Sequence, residues 1–155
     1  MFSGTVRPAL RRDISGADTV ETVAFGGSEP PPNPLEPAKS GFIPAARVVA
    51  IVDGTVVGTV RYGVIGDRIH LVRLGVDPKH RRAGVARALV AFVARQAESA
   101  GLRALSLYTV RATGNVKIFD RLGFQETLPH GDVAQPECVS EAFLEFEVRS
   151  DRRRT

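Results

Sequence analysis

Through the middle of this chain apolar, β-branched runs are separated by glycine-bearing turns, which predicts short strands. The β-branched runs 47–52 and 56–64 flank Asp53-Gly54, a dipeptide suited to a two-residue hairpin turn because both positions tolerate positive φ. A further strand, 68–76, follows the turn Ile65-Gly66-Asp67. From Gly84 the period changes. Val85, Leu89, Phe92 and Val93 fall at i, i+4, i+7 and i+8, and Gly101 supplies a stop, predicting a helix over 84–100 of roughly 25 Å. A crossover of that length, joining strand 68–76 to a strand at 103–110, makes the two strands parallel with a right-handed connection.

The ends complete the pattern. Residues 5–10 read as an edge strand, and Val20, Val23 and Ala24 recur at helical spacing over 18–25. Strands are expected at 125–128 and 141–148; in the latter Ala142, Leu144, Phe146 and Val148 form one apolar face, with Phe143, Glu145 and Glu147 on the other. Residues 26–44 hold six of the ten prolines without periodicity and read as a long loop with at most one helical turn. The expected fold is α/β (α+β): a mixed, mainly antiparallel central sheet with helices packed on both faces.

Composition narrows the class. At 155 residues and 43% hydrophobic content the chain suits one domain over 1–150, followed by a basic tail at 151–155 carrying Arg152, Arg153 and Arg154. No apolar run approaches the ~20 residues of a membrane helix, and Met1 to Leu10 has no apolar signal core, so no membrane partner is expected and a cytoplasmic setting is. The single cysteine, Cys138, cannot form an intrachain disulfide and reads as an inert loop thiol. His80 and His130 read as solvated residues with no partner at ligand spacing, so no metal is expected. A net charge of +4 and a pI near 9.8 raise nucleic acid as a partner. The tail and one basic turn account for much of that excess, and with 6% aromatics and no Trp a base-stacking platform is not supported.

That basic turn carries the chemistry. Strand 68–76 ends in Leu74-Gly75-Val76, and Arg81-Arg82-Ala83-Gly84-Val85-Ala86 then opens the helix. The first amides of a helix lack intrahelical acceptors and sit at the positive end of its dipole, so an anion there gains hydrogen bonds and favourable charge together. Gly84 admits close approach of a ligand, and Lys79, Arg81, Arg82 and Arg87 add charge. The turn is no Walker loop, lacking Gly-Lys-Ser/Thr, and no Gly-x-Gly-x-x-Gly dinucleotide fingerprint. A merely solvated basic surface is the competing reading.

Arg-x-x-Gly-x-Ala directly after such a strand resembles the Gln/Arg-x-x-Gly-x-Gly/Ala signature of the GNAT superfamily of acetyl-CoA-dependent N-acetyltransferases. Downstream of a strand-like run at 105–110, residues 115–124 end in Leu122-Gly123-Phe124 and resemble that family's second helix, with Gly123 placed as a left-handed cap. The resemblance covers 46–124 well. It implies acetyl-CoA as cosubstrate, its diphosphate on Arg81, Arg82, Ala83, Gly84, Val85, Ala86 and Arg87. It places the pantetheine arm along Leu74 and Val76, in a cleft where the two parallel strands splay, with Asn115 and Phe119 nearby. It further implies that the Val76 amide polarises the thioester carbonyl and that the acceptor amine attacks directly in a ternary complex, with no covalent enzyme intermediate.

Proton transfer is less settled by the residues. His70, six positions before Val76, stands where some relatives carry a Glu, and an imidazole ordinarily titrates near ~6.5, suited to deprotonating an amine. It also alternates with Val72 and Leu74 and so fits a plain sheet position. Where most members carry a Tyr that protonates the leaving thiolate, this chain has Phe119, which leaves Tyr108 or water for that role. Asn115 fits a pantetheine contact or a helix N-cap. The acceptor, a small-molecule amine or a protein amine, is set by residues 10–45 and 125–140, the loop 26–44 lining its pocket by the same resemblance; a homodimer is compatible. A non-catalytic acyl-CoA-binding module is the alternative function, and a basic nucleic-acid-binding domain a third, marked by salt-sensitive binding indifferent to coenzyme A.

Overall fold

The computed structural model describes residues 2–24, 46–110, 114–127 and 141–148; the loop 26–44, His130, Cys138 and the tail 151–155 lie outside them. Among the described residues ten elements of regular structure, apart from two 3₁₀ turns, follow in chain order: β1 (Thr5–Pro8), α1 (Ile14–Ala24), β2 (Ala46–Val52), β3 (Thr55–Ile65), β4 (Arg68–Val76), α2 (Val85–Ser99), β5 (Ala104–Val110), α3 (Asn115–Leu122), β6 (Gln125–Glu126) and β7 (Glu141–Glu147). The strands are hydrogen-bonded in the order β1-β2-β3-β4-β5-β7-β6. Pairing is antiparallel for β1–β2, β2–β3, β5–β7 and β6–β7 and parallel for β4–β5, giving the mixed, mainly antiparallel sheet expected. The chain divides into two compact units, one drawing on 2–24, 46–62 and 72–92, the other on 63–71, 93–110, 114–127 and 141–148 of the described residues.

In the first unit the β2–β3 turn has the conformation its sequence demands, with φ of 49° at Asp53 and 79° at Gly54. Between Ala50 and Ile51 the register shifts: Ala50 pairs with Gly58 but Ile51 pairs with Val56, so Val57 is a bulged extra residue whose carbonyl accepts the Asp77 N–H at 2.8 Å. An extra residue reverses the alternation of faces. Val56 consequently meets α1, where a Cβ on Gly16 would lie 3.1 Å from its Cγ2, while Gly58 meets α2, where a Cβ would lie 2.6 Å from Val85 Cγ1 and 3.1 Å from Leu89 Cδ1. The two helices cover opposite faces.

Helix α1 begins earlier than the spacing of Val20, Val23 and Ala24 predicts. Asp13 closes the preceding 3₁₀ turn (Arg11–Asp13) by accepting the Leu10 N–H at 2.7 Å, and its other oxygen takes Arg7 Nη2 at 3.2 Å; this ends the first strand at Pro8 instead of at residue 10. The buried stripe is Ala17, Val20 and Glu21, while Val23 is 49% exposed, so the apolar face read from the sequence is rotated.

In the second unit β4 and β5 run parallel in register from Arg68↔Ala104 to His70↔Ser106, and β5 pairs with β7 along its whole length. Arg103 donates to Asp67 at 2.9 Å and to Glu145 at 3.0 Å, tying the β4 start to β7. Helix α2 ends at Gly101 (φ 74°), where the Leu102 N–H returns to the Ala97 carbonyl at 2.9 Å; α3 ends likewise at Gly123 (φ 109°), with Phe124 N–H on the Phe119 carbonyl at 3.0 Å. The expected two-faced strand at 141–148 needs correction. Ala142, Phe143 and Leu144 are all buried, because Phe143 pairs with Tyr108 on β5 and the two rings lie 5.2 Å apart, so both faces are covered there. Of the strand expected at 125–128, β6 spans Gln125–Glu126, the Thr127 N–H donates to the Phe143 carbonyl at 3.0 Å, and Leu128 lies outside the described residues.

Two outcomes follow from this packing. Gly58→Val forces the start of α2 away from β3 and should lower unfolding free energy by about 1–3 kcal/mol in urea titration, the usual cost of overpacking. Arg7 and the Leu10 amide hold the Asp13 carboxyl below its ordinary value. Its contribution is complete above the unfolded carboxylate pKa of ~3.9 and is lost as pH falls through the lower folded value, so Asp13→Asn should flatten the acid limb of a stability–pH curve.

Candidate active site

The cradle lies wholly in the first unit. β4 ends at Val76; Asp77 then donates its N–H to Val57 and accepts the Lys79 N–H on Oδ1 at 2.9 Å, closing the 3₁₀ turn Pro78–His80. The Asp77 carboxylate thus caps the turn through Oδ1 while keeping its charge. Arg81 is extended, Arg82 has φ of 65° and Gly84 has φ of 83°, so left-handed residues alternate with Ala83 across the strand-to-helix junction. Alternation of this kind turns successive N–H groups into one concavity, a nest for anionic oxygens. A left-handed arginine is uncommon and costs conformational energy. The first bond of α2 runs from the Ala88 N–H to the Gly84 carbonyl at 3.0 Å, leaving the amides of Val85 and Ala86 ahead of the helical ladder.

Burial sorts the side chains. Val85 is 2% exposed and locks the helix start against Gly58; Arg81, Arg82 and Arg87 are exposed, and Leu74 and Val76 are half-buried. His80, expected to be solvated, is half-buried, and its Nδ1 is shielded from solvent with no hydrogen-bond partner.

The second unit holds the other candidate residues. His70 is 3% exposed, and its Nδ1 lies 2.9 Å from Ser106 Oγ, itself fully buried. The ring also meets Tyr108 edge-on at 5.5 Å between centroids. The structure therefore joins His70 and Tyr108 and adds Ser106, which the sequence reading missed; the signal was present, since Ser106 and Tyr108 share one face of β5 and the parallel register sets Ser106 opposite His70. Gly114, left-handed at φ 78°, is the N-cap of α3, so Asn115 is its first helical residue and does not cap it. Phe119 stacks edge-on against buried Phe124 at 5.6 Å.

A second group escaped the sequence reading altogether. Glu21, 5% exposed on α1, gathers Arg47, Arg61 and Arg73 from three strands of the first unit. Hydrogen bonding to Glu21 holds the Arg61 guanidinium still more firmly protonated. Among the described residues no three His, Cys, Asp or Glu side chains converge as a metal site, and no helix is long and apolar enough to cross a membrane.

The mixed sheet with its parallel crossover is an α/β fold, and comparison with known proteins gives its family. The model of the acetyltransferase (GNAT) family matches residues 19–124, and the chain belongs to that family. Among curated proteins, no relative matches by sequence. Among solved structures, the ribosomal-protein-S18-alanine N-acetyltransferase of Escherichia coli superposes with a TM-score of 0.69 at 19% identity, covering 96% of each chain. The PaiA N-acetyltransferase of Thermoplasma acidophilum, solved with coenzyme A, gives 0.68 at 15% identity over 94% of this chain and 99% of that one. Nourseothricin acetyltransferase gives 0.68 at 18% identity with the same coverage. These likenesses establish the fold.

Gly84→Glu should abolish coenzyme A binding in calorimetry while the circular dichroism spectrum is retained, since it adds a side chain and a negative charge at the nest and strains a left-handed position. Undiminished affinity would count against the cradle.

Proposed function

We propose that residues 1–150 act as one N-acetyltransferase domain in a cytoplasmic setting, moving the acetyl group of acetyl-CoA to a primary amine by direct attack in a ternary complex. The observation that carries this reading is the alternation of left-handed Arg82 and Gly84 ahead of α2, an anion nest bounded by exposed arginines. Amides from 82 to 87 and the Arg81, Arg82 and Arg87 side chains would hold the diphosphate. Leu74 and Val76 would align the pantetheine arm, with Asn115 and Phe119 as further contacts. The Val76 amide would stabilise the tetrahedral oxyanion, a contribution typically of ~3 kcal/mol.

His70 is assigned the amine proton. This role requires the tautomer in which Nδ1–H donates to the Ser106 oxygen and Nε2 carries the lone pair; the Ser106 hydroxyl, which can donate or accept, acts as a positioning residue for the ring. Tyr108 is the donor assigned to the leaving thiolate, because Phe119 has no proton to give. A thiol is a far better leaving group than an alcohol, with a pKa near ~8.5 by analogy with cysteine, so this help is useful without being obligatory. The phenyl ring of Phe119, packed on Phe124, favours one second reading, a non-catalytic acyl-CoA-binding module.

A panel of small amines and peptides incubated with acetyl-CoA decides between them. The enzyme should release coenzyme A thiol in step with acetylated amine and give intersecting initial-rate lines; silence across the panel with intact coenzyme A affinity would select the binding module. His70→Ala should depress kcat and displace the acid limb of the pH–rate profile, and an unmoved profile would remove His70 from the mechanism.

A further inference from the structure

Helix α1 and strands β2, β3 and β4 bring together five charged side chains that the proposed chemistry does not use. Glu21 lies 3.0 Å from Arg47 Nη2, 2.7 Å from Arg61 Nε and 3.5 Å from Arg73 Nη1. Asp18 takes Arg47 Nη1 at 2.9 Å and lies 3.8 Å from Arg61 Nη2. Three guanidiniums therefore face two carboxylates, leaving one formal positive charge among them. The surplus falls on Arg73. Its 3.5 Å approach to Glu21 is too long for a good N–H···O bond, and its side chain is 34% exposed, as Arg61 is 37% exposed. Arg47, by contrast, is 12% exposed and held through Nη1 on Asp18 at 2.9 Å and Nε on Thr59 Oγ1 at 3.3 Å, while its buried Nη2 makes no hydrogen bond.

Arg73 is also strained: its φ is 56° in the middle of β4, a left-handed value that non-glycine residues adopt at a cost and that clusters at functional sites. Two residues on, Gly75 lies under α1, where a Cβ would approach Ala24 Cβ at 3.0 Å, so the helix bearing Glu21 rests on the strand that ends at Val76. Arg73 stands three residues, about 10 Å of strand, before that amide.

We propose that Arg73 and Arg61, steadied by Glu21, form an anion subsite that receives a carboxylate of the acceptor, so that the acceptor class is amines that also carry a carboxylate. The identification of the ligand as acceptor rests on the acetyl-transfer reading, through Val76. The Nε and Nη2 edge of Arg61 is closed on Glu21 at 2.7 and 3.0 Å, so Arg61 contributes charge, while Arg73, 3.5 Å from Glu21, offers the guanidinium fork that matches a carboxylate in two hydrogen bonds. Free amino acids and acidic peptides share this chemistry.

The test uses the full chain saturated with coenzyme A. Glutarate, which has the anions but no amine, should bind in calorimetry where glutaramide does not, and Arg73→Gln should weaken it at least tenfold with coenzyme A affinity unchanged. Glu21→Gln, which removes the acid that steadies the two guanidiniums, should weaken glutarate binding as well as lower thermal stability, while Arg73→Lys, which keeps the charge but loses the fork, should recover only part of the affinity lost in Arg73→Gln. In the amine assay, carboxylate-bearing acceptors should show KM at least tenfold below their amides, free amino acids and acidic peptides being run as separate arms to assign the source. Absent glutarate binding, binding equal to that of glutaramide, binding untouched by Arg73→Gln, or equal KM for acid and amide acceptors would each overturn the subsite. Failure of acetyl transfer to every amine, with glutarate binding retained, would instead overturn the catalytic reading and leave the anion subsite standing.

Discussion

An anion nest works only if its backbone amides keep their aim, and in this protein the aim is set by a close approach between a sheet and the first turn of a helix. Gly58 has no side chain, so Val85 and Leu89 settle directly onto β3, and the helix start cannot move without opening a void. The bulge at Val57 is what turns Gly58 toward that helix, and the same Val57 carbonyl holds the Asp77 N–H at the far side of the loop. Both ends of the stretch from 77 to 85 are thus pinned to one strand irregularity. With its ends fixed, the loop closes through left-handed Arg82 and Gly84, and that conformation concentrates the N–H groups.

Burial of charge organises the other side of the first unit. A carboxylate as enclosed as Glu21 is costly unless cations and hydrogen bonds replace its water, and three arginines from three strands do so. The consequence is geometric as well as energetic. Helix α1 rotates to bring Glu21 inward and Val23 outward, against the ordinary ranking of the two side chains, because the sheet offers guanidiniums where a core usually offers methyl groups. In the second unit the buried His70–Ser106 pair is a smaller case of the same rule: polar atoms enter the sheet together, each supplying the other's partner.

Strand and helix identities were legible wherever local chemistry and global packing agree. Asp53-Gly54 reads as a hairpin and forms one; Gly101 and Gly123 read as helix stops and adopt left-handed caps; the stripe Val85, Leu89, Val93 points inward along α2. The basic turn ahead of α2 was legible because its residues are contiguous, so that a motif of six positions carries turn, glycine and charge together. Phe143 was misread because its cover comes from Tyr108 across the sheet, and α1 was misplaced because its start is fixed by Asp13 folding back on Leu10 and Arg7.

The amino-acid sequence alone therefore determined the order of strands and helices, the parallel crossover and the basic turn, since periodicity, turn chemistry and helix ends act over a few neighbouring residues. Only the tertiary structure decided which charges are buried and which side chains meet: Glu21 with Arg47, Arg61 and Arg73, and His70 with Ser106 and Tyr108. Those pairings join residues tens of positions apart, and no local pattern encodes them, because the free energy of a buried polar group depends on what the rest of the chain places beside it.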